Sequence, residues 1–83
     1  MHTLLLDGRQ YQSSSDVYAA IGRMLSLPAY FGMNADALND CLSERRETVS
    51  LWILPGGSEE VRRCLSLIAN VISDNGGTVK ELG

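Results

Sequence analysis

The six residues Val49-Ser50-Leu51-Trp52-Ile53-Leu54 constrain the fold of this chain more than any other stretch. A run this short and apolar, closed by Pro55-Gly56-Gly57, reads as a strand rather than a helix segment. Its near-continuous hydrophobicity predicts burial on both faces, as in a parallel sheet. Parallel strands need long crossover connections, and the sequence supplies them on both sides. Thr3–Leu6 is a shorter apolar run ended by the turn signal Asp7-Gly8, and Thr78–Leu82 is a weaker third run.

The segments between these runs carry helical periodicity. Ser13, with Asp16 three positions on, resembles a capping box. Val17, Ala20, Ile21, Met24 and Leu25 then recur at helical spacing, which predicts a helix from about Ser14 to Leu25. Pro28 stops it. Tyr30-Phe31-Gly32-Met33 reads as a loop, and Asn34 caps a second helix through about Ser43. The inner face of that helix is Ala35, Leu38, Cys41 and Leu42, while Arg45 and Arg46 suit its negative end. Ser58 caps a third helix with a stripe of Val61, Cys64, Leu65, Ile68, Val71 and Ile72, and Asn75-Gly76-Gly77 ends it. The order strand, helix, helix, strand, helix, strand predicts an α/β fold. It is a small two-layer domain: a three-stranded parallel sheet in order 1-2-3, with about three helices on one face.

The 83 residues make one domain, 1–83, with no internal repeat, linker or low-complexity segment. With 45% apolar residues, disorder is expected only at the ends. Seven basic against ten acidic residues give a net charge of −3, which argues against a nucleic-acid binder and fits a basic partner. No apolar run approaches membrane-spanning length, and Met1-His2-Thr3-Leu4-Leu5-Leu6 lacks the charged leader of a signal peptide, so the expected location is the cytoplasm. Cys41 and Cys64 match no zinc or redox spacing and sit at apolar helix positions, so buried free thiols are expected, with a disulfide between them the less favoured alternative in a cytosolic chain.

Nothing in the chain assembles into catalytic machinery. His2 is the sole histidine, at a terminus, where an incidental strand residue is the simpler reading. No His/Cys cluster has metal-ligand spacing, and no cofactor motif is present. Leu54-Pro55-Gly56-Gly57-Ser58-Glu59-Glu60 lies between a strand and a helix, where phosphates are often cradled. It lacks the lysine and spacing of a P-loop, and Glu59 and Glu60 would repel phosphate, so a tight turn plus cap accounts for it.

The remaining feature is acidic. Asp36, Asp40 and Glu44 recur every four residues, one helical turn apart. Like charges at that spacing weaken a helix by roughly 0.2–0.5 kcal/mol per pair. The helix N-terminus favours Asp36 but not Asp40, and no base stands between them. Tyr30, Phe31 and Met33 adjoin this stripe. Aromatic anchors beside charge describe a protein-binding surface suited to a basic cleft.

Residues 27–42 also carry a family resemblance. They fit the pattern Leu-Pro-x-Tyr-Tyr/Phe-Gly-x-Asn-x-Asp-Ala-Leu-x-Asp-Cys-Leu at Leu27, Pro28, Tyr30, Phe31, Gly32, Asn34, Asp36, Ala37, Leu38, Asp40, Cys41 and Leu42. The chain therefore resembles barstar-type ribonuclease inhibitors, closely through about Leu42 and loosely beyond. The resemblance implies a non-enzymatic inhibitor, of the immunity or antitoxin type, that plugs the active site of a small basic microbial ribonuclease. A monomer is the default expectation for the free chain, with exposed aromatics as the route to self-association at high concentration. By position, Tyr30, Gly32, Asn34, Asp36 and Asp40 match residues the family uses in binding. With their neighbours on the same surface, the candidate partner-binding residues are Tyr30, Phe31, Gly32, Asn34, Asp36, Asn39, Asp40 and Glu44.

The chain departs from the family at four places. Asn39 stands where the family often has tryptophan. Arg45 and Arg46 follow the acidic helix directly. The stretch from Glu44 to Glu60 is shorter, so a small helix is expected to be missing. A later acidic contact has no match, because Val71 or Ile72 falls near its place. These departures define an alternative, a barstar-like interaction module whose partner is not a nuclease.

Overall fold

A computed structural model of the chain describes residues 2–28, 31–45 and 47–82. At its centre is β2 (Val49–Leu54), flanked in parallel by β1 (His2–Asp7) and β3 (Thr78–Glu81), which gives the sheet order β1-β2-β3 expected from the sequence. Helices α1 (Ser14–Met24) and α2 (Ala35–Ser43) connect β1 to β2, and α3 (Glu59–Asp74) connects β2 to β3. One short element escaped the sequence pattern, a 3-10 turn over Gly8–Gln10 in which the Asp7 carboxylate accepts from the Arg9 N–H at 3.1 Å.

The register explains the layering. Leu4 pairs with Leu51 and Leu6 with Ile53, so these side chains point to the same face. There they meet Val17 and Ile21 of α1, Leu38 of α2, and Val61 and Ile68 of α3. The intervening positions Leu5 and Trp52 point the other way and are 51% and 44% exposed. Burial of β2 on both faces, read from its hydrophobicity, is therefore corrected. The described helices pack against one side of the sheet, and Leu5 and Trp52 lie on the other. Trp52 instead lies under the Lys80 ammonium, 5.7 Å from the ring centroid.

Local chemistry sets the helix ends. Ser13 Oγ accepts from the Asp16 N–H at 3.4 Å, and Asp16 reaches back to the Gln12 N–H at 3.1 Å, one residue beyond a standard capping box. Ser58 Oγ accepts from the Val61 N–H at 3.2 Å. The preceding Gly57 has φ 85°, and a Cβ there would collide with the carbonyl of Gly8. The glycines of this turn thus serve a close approach between two backbones.

Cys64 is buried and Cys41 only partly so, and both thiols are free. The expectation of two buried thiols holds for Cys64 alone, because Cys41 lies at the edge of the inner face of α2. Among the described residues, no helix is long and apolar enough to cross a membrane.

Candidate partner-binding site

The acidic stripe is mounted on a helix anchored at its start. Asn34 Oδ1 accepts from the Ala37 N–H at 2.8 Å, while its Nδ2 donates to the Gly32 carbonyl at 3.0 Å. One side chain therefore caps α2 and holds the loop before it. Met33 sits between these two residues in the left-handed region, with φ 56°. That conformation costs a residue with a Cβ about 1 kcal/mol or more and turns the chain sharply into the helix. Gly32 is confined as well: a Cβ there would lie 3.3 Å from both the Ala37 Cβ and Asn34 Nδ2.

Leu38 and Leu42 anchor the other side of α2 in the core, which leaves Asp36, Asn39 and Asp40 exposed. The helix ends at Ser43, yet Glu44 keeps helical backbone angles and is exposed, so the acidic spacing continues past the helix end. Among the described residues, the Asp36 and Asp40 carboxylates have no hydrogen-bond or ion-pair partner. Asp40 and Glu44 share a cleft of about 580 Å³ with Phe31, Gly32 and Cys41. Burial raises the Cys41 thiol pKa above its usual value, and the nearby Glu44 and Asp40 carboxylates add to the shift.

The other candidates separate by role. Phe31 turns inward, packs on the core and meets Tyr18 edge to face, with centroids 6.3 Å apart. Met33 is the large apolar side chain of the described loop left outside, 41% exposed. Asn39 Oδ1 accepts from Asn75 Nδ2 at 2.8 Å, so this exposed amide is tied to the C-terminal cap of α3. Tyr30 lies outside the described residues, as does Arg46.

Two residues escaped the sequence reading. The Arg45 backbone N–H bonds the Leu42 carbonyl at the end of α2, but its side chain reaches another helix. Its Nη1 donates to the carbonyl of Leu25, the C-cap of α1, at 3.2 Å, and its Nε is buried without a partner. Asn75 read only as a helix stop, although its Nδ2 also donates to the Val71 carbonyl at 2.8 Å. Nothing local marks either contact.

Among the described residues, no group of three or more His, Cys, Asp or Glu side chains could hold a metal ion. What the surface offers is a capped helix whose Asp36 and Asp40 carboxylates are unpaired among the described residues, with a cleft beside them. The family model described as Barstar (barnase inhibitor) matches residues 1–72.

Proposed function

The chain belongs to the barstar family of barnase inhibitors, and from that premise we propose that it binds a small basic microbial ribonuclease and occludes its active site through α2 and the preceding loop. The carboxylates of Asp36 and Asp40, one turn apart on the exposed side of a capped helix and unpaired among the described residues, carry this reading. A ribonuclease active site gathers cationic and hydrogen-bonding groups around a phosphodiester. The Asp40 carboxylate takes the place of that phosphate and accepts charge-assisted hydrogen bonds from guanidinium or ammonium groups. Asp36 extends the negative field and speeds encounter. Gly32 and Asn34 shape the loop, Tyr30 covers the reacting centre and excludes water, and Glu44 widens the acidic border. The protein performs no reaction and acts as a monomer in the cytoplasm.

A second reading, a family member whose partner is not a nuclease, draws on Asn39. Where the family often has tryptophan, this chain has a smaller amide already engaged by Asn75. The test is calorimetric titration of the protein and its Asp40→Ala variant against barnase and a panel of small basic microbial ribonucleases, with RNA cleavage followed alongside. Tight binding that blocks cleavage and weakens by about thirtyfold or more in the variant is expected. Unchanged inhibition by Asp40→Ala would refute the role of α2. Absence of binding across the panel would favour the second reading.

A further inference from the structure

A second surface adjoins α2 and shares no lining residue with the Asp40 cleft. It is a groove of about 590 Å³ where the N-terminal ends of all three helices meet, represented by Ser14 of α1, Asn34 and Ala35 of α2, and Glu59 and Glu60 of α3. Tyr18 and Cys64 lie deeper, and Met33 and Leu67 stand on the walls. Met33 and Leu67 are large apolar side chains left 41% and 52% exposed. Leu67 also falls off the buried stripe formed by Val61, Cys64, Leu65, Ile68 and Ile72, so packing of α3 does not explain it.

Three helix N-termini together would attract an anion. Here each is answered by a carboxylate of its own first turn: Asp16 in α1, Asp36 in α2, Glu59 and Glu60 in α3. Glu60 goes further and accepts from the Ser14 N–H at 2.7 Å, locking α1 to α3. Arg63 offsets Glu59 alone, through a 2.8 Å ion pair. Asp36 is close enough for its charge to act on the Tyr18 phenol. The groove is thus apolar on its walls, and its border carries Glu59, Glu60 and the single base Arg63, with Asp36 nearby, a net negative rim that complements an apolar side chain flanked by lysine or arginine.

We propose that this groove is the second half of the inhibitory surface and receives an apolar side chain, set among basic residues, of the same ribonuclease that α2 engages. The inference rests on the reading of α2 given above. Continuity supports it, because Asn34 caps the acidic helix and lines the groove, so a partner seated on Asp36 already borders Met33. It also supplies apolar contact area that the α2 face lacks at Asn39.

The test adds two variants to the same titration against barnase and the ribonuclease panel, Leu67→Lys and Leu67→Asp. Leu67 is exposed, so both should fold, with melting temperatures within about 4 °C of the parent. Both remove the apolar wall, and the lysine also opposes a basic partner. Leu67→Lys is expected to weaken binding about tenfold or more, and Leu67→Asp by at least about threefold less than that. If Asp40→Ala weakens binding while Leu67→Lys stays within about threefold of the parent, the groove is refuted and the α2 reading stands. A Leu67→Asp loss equal to or larger than the Leu67→Lys loss would refute the basic partner surface. If no ribonuclease binds, both readings fall together.

Discussion

Asn75 Nδ2 donates to Asn39 Oδ1 at 2.8 Å and so joins the exposed side of α2 to the end of α3. The bond spans 36 positions in the chain and fixes the orientation of an amide beside Asp40. Both residues lie near the surface, so the bond should stabilise the fold by about 0.5–1.5 kcal/mol. A double-mutant cycle of Asn39→Ala and Asn75→Ala, followed by urea unfolding, should return a coupling energy in that range. Strictly additive effects would show that the two amides are solvated independently.

Asp36 is favoured by the start of α2, but among the described residues Asp40 has no hydrogen bond or ion pair to offset its repulsion from Asp36. Asp40→Asn should leave stability unchanged or raise it by up to about 0.5 kcal/mol, a melting shift of roughly 0–4 °C. The same change should weaken ribonuclease binding. A marked fall in melting temperature would reveal an internal partner for the carboxylate.

The Arg45 side chain combines a hydrogen bond to Leu25 with a buried Nε that is unpartnered among the described residues. Losing the bond costs stability, and losing the unsatisfied group returns some. Arg45→Met keeps the apolar stem and should therefore stay within about 1 kcal/mol of the parent, whereas Arg45→Ala also forfeits packing and should cost more. Because a positive charge beside Asp40 and Glu44 disappears, Arg45→Met should also raise the association rate with a basic ribonuclease at low salt. Stopped-flow association and urea unfolding check the two halves separately.

Tyr18 and Cys64 are both buried, close enough for each to shift the other's titration. Burial first, and Cys64 second, push the phenol up to about 12, while burial also raises the Cys64 thiol. Both groups are held protonated in the folded chain beyond their ordinary values of 10.0 and 9.0. Their contribution is thus complete below pH 9.0 and is lost as pH climbs toward about 12, because the unfolded chain releases protons that the folded chain retains. Unfolding free energies measured from pH 7 upward should stay level on this account and then fall. Tyr18→Phe should flatten the fall and leave the smaller share due to Cys64. A variant profile that matches the parent would remove Tyr18 from the explanation.

Much of this architecture is written locally. Ser13, Asn34 and Ser58 each accept the N–H three residues on, and each marks the start of a helix. The apolar stripe of α3 and the acidic spacing of α2 are also readable by eye, since both follow from helical period alone. The hydrophobicity of β2 misled in one respect. Apolar character marks a strand, but it does not state how many faces are covered, and Trp52 stays exposed because the helices occupy only one side. Cys41 misled in the same way, since an apolar period locates a face and not the edge of that face.

By itself the sequence determined the order of elements, the parallel sheet and the identity of the acidic helix, because caps, turns and periodicity act over three or four residues. Tertiary structure alone decided which exposed groups are free. Arg45 turns to Leu25, Asn75 to Asn39 and Glu60 to Ser14, across 20, 36 and 46 positions. Such contacts form only after the sheet has set the helices side by side. They leave the Asp36 and Asp40 carboxylates without a partner among the described residues, and they create the groove between three helix ends that no single segment contains.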